Sequence, residues 1–320
     1  MRIRIWRMIM RSPNAILLLL LAGMAAQAAD LPANEIGKIP VLTYHKISDE
    51  DTEYTRNRTS FMNDLVQLKK LGFYPITLNE FRSRKIAAPK GKIPLLITFD
   101  DSSESQFKYE ADGSLTPGCG VEIMERFQKA NADFPLRGVF FVLPKAQYPN
   151  NFFGQPAKIG AKLKYLTGKG FEIGSHTLWH ANLKKYRNKI EEQLGLGTAE
   201  IQKYLKGYAV YAFALPYGIF PPKADEPRLR AGTFKGKAYR HDMIFDYSNA
   251  LSHSVYDKKF DTYRIRRLHG NETTLQKLFK QARQKREIFF ISDGDPETVT
   301  VRKADAGRVR LRSNQKLLTY

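Results

Sequence analysis

The sequence predicts an α/β protein built on a parallel sheet or barrel. Three observations carry this. Short apolar runs alternate with helical patterns along most of the 320 residues, the order of strand–helix–strand units. Several runs are apolar on both faces, as strands covered on each side are. The residues suited to chemistry stand at the ends of such runs, where α/β folds place their sites.

A first strand is predicted over 41–45 and a helix over 61–71. In that helix Phe61, Leu65, Leu68 and Leu71 keep a helical period, and Gly72 follows as a capping glycine. A strand over 73–77, a short helix over 78–84 and a strand over 94–99 come next. Residues 102–120 are polar and glycine-containing and predict an inserted loop before a helix over 121–131. A strand over 138–143 leads into a second inserted loop at 147–156. Then follow a helix over 159–167, a strand over 171–175 and a helix over 185–206. Strands over 208–215, 243–247 and 264–268, a helix over 274–284 and a strand over 288–291 complete the pattern. Residues 293–320 alternate (Val299, Val301, then Val309, Leu311), which predicts a C-terminal β-hairpin tail rather than a second domain.

Residues 1–28 have another character. Arg2, Arg4, Arg7 and Arg11 precede an apolar run at 15–22, and Ala26-Gln27-Ala28 fits an A-x-A cleavage site. This is the order of a secretory signal peptide. The run is shorter than the roughly 20 residues of a spanning helix, so the expectation is export, periplasmic or extracellular, with no membrane anchor after cleavage near Ala29. Cleavage removes four arginines and no acid, so the net charge falls from +20 to +16. A basic surface can attract anionic envelope polymers; nucleic acid is not the expected partner of an exported chain. The single cysteine, Cys119, excludes an internal disulfide, and a chain this long buries a core without one.

Ile97-Thr98-Phe99-Asp100-Asp101 ends an apolar run in two carboxylates. Adjacent like charges need a cation, a shared proton or water to be tolerable. Gly174-Ser175-His176-Thr177-Leu178-Trp179-His180 ends another run. Histidines four apart can reach one ion, and two His with one carboxylate is a ligand set of catalytic zinc and of some iron sites. An ion held by Asp101, His176 and His180 would leave Asp100 free as a general base. Phe213-Ala214-Leu215-Pro216-Tyr217-Gly218 ends a third run, and its turn could aim the Tyr217 N–H at an oxyanion. Trp179, between two candidate ligands, is the aromatic residue best placed to stack a sugar.

These stretches together resemble the polysaccharide deacetylases of the NodB homology family, carbohydrate esterase family four. The family's T-F-D-D-G motif is matched by Thr98-Phe99-Asp100-Asp101 and its H-[ST]-x-x-H motif by His176–His180. Pro40-Val41-Leu42-Thr43-Tyr44-His45 is similar to the opening of a branch that includes exported poly-N-acetylglucosamine deacetylases. The resemblance implies a distorted (β/α) barrel over 36–292, with the short β-rich tail after it. It implies a metal-dependent hydrolase that removes N-acetyl groups from an extracytoplasmic aminosugar polymer. Asp100 would be the base; Asp101, His176 and His180 would hold one divalent ion, zinc foremost. Tyr217 would supply the oxyanion N–H and His269 the acid, with His253 and His45 as rivals. Three positions depart from the motifs: Ser102 replaces a glycine, Ala181 a proline, and Ala214 an arginine that orients the base. Arg267 is the candidate to take over that orienting role. The rival readings are a glycoside hydrolase with a carboxylate pair, an inactive carbohydrate-binding relic of the fold, and an iron oxygenase. Paired glycosidase carboxyls stand about 5–10 Å apart across a bond, which suits adjacent residues poorly. A relic would be expected to lose its ligands, and the H-x-[DE] segment usual in the oxygenase triad is absent.

Overall fold

The computed structural model describes residues 32–320, so the signal-peptide segment lies outside the described residues. Among the described residues no helix is long and apolar enough to cross a membrane.

The chain opens with β1 (Val41–Tyr44), the short strands β2 (Lys46–Ser48) and β3 (Thr55–Asn57), and helix α1 (Arg58–Lys70). Asn57 caps α1 by accepting the Thr59 N–H, and Phe61, Leu65 and Leu68 form its buried stripe. Next come β4 (Phe73–Pro75) and α2 (Leu78–Ser83), the latter started by a Thr77–Glu80 capping box. Strand β5 (Ile93–Phe99) is followed by α3 (Gly120–Ala130), β6 (Val139–Val142), α4 (Ile159–Gly168), β7 (Glu172–Ser175) and α5 (Ile190–Tyr204). Then come β8 (Ala212–Ala214), a short helix α6 (Pro227–Arg230), a hairpin of β9 (Ala231–Phe234) and β10 (Lys237–Arg240), and β11 (Met243–Phe245). The chain finishes with β12 (Leu268–His269), α7 (Glu272–Gln284), β13 (Thr298–Val301) and β14 (Lys316–Thr319).

The main sheet is parallel, in the order β11-β8-β7-β6-β5-β1-β12, with β4 also on β5. Its apolar runs are buried on both sides, as the sequence predicts. Along β5, Leu95, Ile97 and Phe99 join the cluster that includes residues of α1, α3, α4 and α7, while Leu96 joins a second cluster with Val41, Val139, Phe141, Ala214 and Phe245. Each fully buried side chain of this size contributes about 1.5–3 kcal/mol, so the sheet stands between two apolar layers. The two ends of the sheet meet. Ile265 bridges Phe245 in parallel, and three residues later Leu268 pairs with Leu42 of β1. The curled sheet therefore approaches a closed barrel at a seam formed by residues 262–269.

The seam corrects one expectation: 264–268 is not a continuous strand but a crossing from one edge to the other. Residues 288–291 form no strand either; Phe289 and Ile291 make single bridges to Lys38 and Asn34. The β9–β10 hairpin interrupts a stretch the sequence left without elements. The tail is not a hairpin. β13 and β14 pair in parallel, joined by a 3₁₀ segment at Lys303–Arg308. Val299 and Val301 are fully buried in the second cluster, so β13 is packed on the barrel and its partner returns by a crossover.

Candidate active site

Three strands of the parallel sheet deliver the site: β5, and the neighbours β7 and β8, with β6 between β5 and β7. Asp100 follows β5, and its N–H donates to Tyr44 O at the end of β1. His176 follows β7, and its N–H donates to Val142 O of β6. Tyr217 follows β8. Backbone strain gathers here: φ is positive at Asp101 (72°), Ser102 (46°), Thr177 (73°), His180 (65°) and Tyr217 (61°). Such conformations cost non-glycine residues about 1–3 kcal/mol each and persist where the surroundings impose them. At the last of these turns Gly218 lies so close to the Tyr247 backbone that an added Cβ would stand 2.7 Å from its nitrogen.

The adjacent carboxylates have separate surroundings. Asp100 is 2% exposed and Arg267 fully buried. Arg267 Nη1 and Nη2 donate to Asp100 Oδ1 and Oδ2 at 2.7 and 2.8 Å, Nε donates to Asp246 O at 2.7 Å, and Nη1 also reaches Thr98 Oγ1 at 3.3 Å. Burial pushes the Asp100 carboxyl up; the charge and hydrogen bonds of Arg267, with His176 and His45, together outweigh it and hold the group well below the usual carboxylate range. Asp101 has no such partner. Burial pushes its carboxyl up, and the charge on Asp100 adds to the shift.

Asp101 faces the two histidines instead. His176 Nε2 and His180 Nε2 both lie 3.5 Å from Asp101 Oδ1, and one ligand atom from each residue falls within 4.8 Å of the others. His176 Nδ1 donates to Ala214 O at 2.8 Å, which fixes the tautomer and leaves the Nε2 lone pair toward Asp101. Burial pushes the His176 imidazole down to about 3 and lowers His180 as well, so both rings are neutral. A lone pair of His176 thus points at the Asp101 carboxyl, an arrangement that a cation held between them would satisfy. Tetrahedral ligands about 2.1 Å from one ion stand about 3.4 Å apart, which the 3.5 Å separations match, so the donor set fits a divalent metal.

The other expected residues distribute themselves around this triad. The Tyr217 ring is mostly exposed and packs edge-on against His180, with centroids 4.5 Å apart. Trp179 lines a cavity of about 470 Å³ with Asp101, His180, Leu143, Lys145 and Tyr148. His269 stacks on Tyr247 at 3.8 Å and, among the described residues, has no polar contact with the triad or with Asp100. His45 lies edge-on to both Tyr54 and Tyr247. Burial lowers its imidazole, and the charges of Asp100 and Asp101 oppose that shift, which puts it within their reach. His253 bonds to Lys38 at 2.9 Å, next to Ser252, whose backbone pairs with Ile39 at the opposite end of β1. It is remote from the carboxylates.

Two contributors escaped the sequence reading. Gln106, fully buried, donates through Nε2 to His45 O at 2.6 Å and to Asp100 O at 2.5 Å, tying the ends of β1 and β5 together. Tyr247 carries the aromatic packing that joins His45, Tyr54 and His269. A glutamine in a polar loop gives no local signal of such a clamp; Tyr247 at a predicted strand end could have been flagged by position alone.

The family model described as polysaccharide deacetylase matches residues 87–232. A peptidoglycan-N-acetylglucosamine deacetylase of Bacillus cereus is 28% identical over 151 residues, 45% of this chain and 43% of that protein. The match thus spans less than half the length of that curated relative. Among solved structures, the Streptococcus pyogenes deacetylase PplD in complex with acetate superposes with a TM-score of 0.55 at 16% identity, over 76% of this chain and 97% of that one. IcaB from Ammonifex degensii gives 0.55 at 19% identity, over 77% and 97%. A de-N-acetylase from Aggregatibacter actinomycetemcomitans gives 0.51 at 15%, over 76% and 99%. At these identities the likeness to the solved structures is one of fold, the curled parallel barrel described above.

Proposed function

We propose, from the premise that the chain belongs to the polysaccharide deacetylase family, that it hydrolyses N-acetyl groups on an aminosugar polymer outside the cytoplasm. One observation carries this reading: Asp101 Oδ1 stands 3.5 Å from two neutral imidazole nitrogens, beside an Asp100 that already has its own counter-ion. One carboxylate is thereby free for an ion and the other for a proton.

Asp101, His176 and His180 would hold one divalent ion, zinc by the spacing of the set. When bound, the ion supplies a Lewis acid that acidifies water and polarises the acetyl carbonyl. Asp100, fixed by Arg267, accepts a proton from the attacking water. The Tyr217 N–H donates to the developing oxyanion. Trp179 and Tyr148 offer aromatic faces to the sugar in the adjoining cavity. The leaving amine needs a proton. His269, expected for that task, stacks against Tyr247, whereas His45 lies within the field of both carboxylates, which favours His45. The signal-like residues 1–28 support an exported protein and an extracytoplasmic substrate. A glycosidase would need one carboxyl kept protonated as its acid and a second about 5–10 Å away, and the guanidinium beside Asp100 favours its ionised form.

The deciding experiment measures acetate release from N-acetylglucosamine oligomers and from acetylated xylan, with and without a chelator. Acetate from the oligomers, lost on chelation and restored by zinc, supports the reading. Release from xylan alone would move the substrate to O-acetyl esters, and release unaffected by chelation would remove the metal.

A further inference from the structure

Ser102, directly after the candidate ligand Asp101, stands where the family motif has glycine. The backbone shows what glycine is suited to at this position. Asp101 and Ser102 are consecutive left-handed residues, with φ of 72° and 46°, a conformation that glycine adopts without the steric cost borne by other residues. The serine supplies something glycine lacks. Its buried hydroxyl accepts the N–H of Leu143 at 3.0 Å, and Leu143 lines the cavity beside the metal triad. Three further bonds run alongside. Ser102 O accepts the Phe153 N–H at 2.7 Å, the Glu104 N–H donates to Pro149 O at 3.2 Å, and the Tyr148 hydroxyl donates to Glu104 Oε2 at 3.2 Å. Four hydrogen bonds thus stitch the turn carrying Asp101 to the segment 143–153 that walls the cavity. Of these, only the bond to Leu143 uses the side chain at the substituted position.

We propose that Ser102 is a positioning residue: its hydroxyl fastens the cavity wall to the turn that carries Asp101, so that a sugar held in the cavity is registered against the metal triad. The proposal rests on the deacetylase reading above. Leu143 is 1% exposed, so removing its acceptor leaves a buried N–H unpaired. The segment relieves this by shifting toward solvent, and the wall then loses its register with the ligands. Displacements of about 1 Å can cost on the order of a hundredfold in rate. Restoring the family's glycine should therefore impair this protein rather than improve it.

Ser102→Gly and Ser102→Ala separate the two effects at this position. Both lose the hydroxyl, and only glycine also relieves the left-handed strain. The melting temperature should place Ser102→Gly above Ser102→Ala, because stability follows the strain. Activity should not follow it. Both variants should lose about tenfold or more in kcat/KM for acetate release from an N-acetylglucosamine tetramer, with a smaller loss on the dimer and with metal content by elemental analysis equal to wild type. Wild-type kcat/KM in Ser102→Gly would overturn the proposal and leave the deacetylase reading standing. Loss of metal in both variants would also overturn it, because the turn alone would then be disturbed. A wild type that releases no acetate from any oligomer would overturn the deacetylase reading, and this proposal with it.

Discussion

Arg267 and Asp100 meet as a two-pronged ion pair, 2.7 and 2.8 Å long, across 167 residues of sequence and in full burial. The guanidinium reaches the carboxylate from the seam where the sheet edges meet. The motif position at which the family carries its orienting arginine is Ala214 here, and Ala214 O instead fixes the tautomer of His176. The orienting charge therefore comes from the seam segment that crosses between the sheet edges, and the protein itself favours an ionised Asp100.

Arg267→Met should be the most damaging change outside the metal ligands. It leaves Asp100 buried without a counter-charge, a loss of about 3–5 kcal/mol in stability. With the opposing charge gone, burial raises the Asp100 pKa, so the carboxyl is protonated at higher pH and cannot accept a proton. The acid limb of the activity profile should move to higher pH. Arg267→Lys should fall between, because an ammonium cannot reproduce the fork. Thermal melts and pH–rate profiles of the two variants check this, and an unmoved acid limb in both would refute it.

The aspartates should fail differently. Asp100→Asn should keep its metal and lose turnover by roughly 100-fold or more, the scale of a general base. Its melting temperature should also drop, since Arg267 is left as an unpaired buried charge. Asp101→Asn should lose metal first, as should His176→Ala, with part of the Asp101→Asn activity restored by excess zinc. Elemental analysis beside kinetics separates the cases; equal metal content in all of them would sink the ligand assignment.

His45→Ala should reduce turnover far more than His269→Ala, by about 100-fold against less than tenfold, if His45 protonates the leaving amine. Because a free amine product needs that proton, an acetyl ester of a phenol with a good leaving group should be much less affected. Equal losses for both substrates would remove the acid role from His45, and a larger loss in His269→Ala would return it to the residue the sequence favoured.

Glu35 offers a test of stability against pH. It is buried beside Asp293, and burial first, then that neighbouring charge, push its carboxyl up to about 9 from 4.5. The folded state thus binds this proton more tightly than the unfolded chain. Its stabilising contribution is complete below pH 4.5 and is lost as pH rises through 9. Wild type should therefore lose melting temperature between pH 6 and 9.5 more steeply than Glu35→Gln, which keeps an acceptor for the Thr300 N–H but does not titrate. Parallel curves for the two proteins would refute the shift.

Read alone, the sequence made legible the fold class, most of the strands and the cluster of Asp101, His176 and His180. Buried parallel strands announce themselves as short runs apolar on both faces, and in such folds the residue after a run has only one end of the sheet to occupy. Asp100, Asp101 and His176 were legible for that reason, and His180 through its spacing from His176. The remaining features are long-range. Arg267 reaches Asp100 because residues 262–269 cross from one sheet edge to the other, and no local period encodes that closure. Gln106 and Ser102 bond to the backbone of His45 and Leu143, partners far away in sequence that carry no side-chain signature. The tail alternates as a hairpin would, yet β13 is already packed on the barrel through Val299 and Val301, and the chain returns through a crossover so that β14 adds in parallel. Alternation reports which face of a strand is buried; the partner and its direction are set by the surface that does the burying.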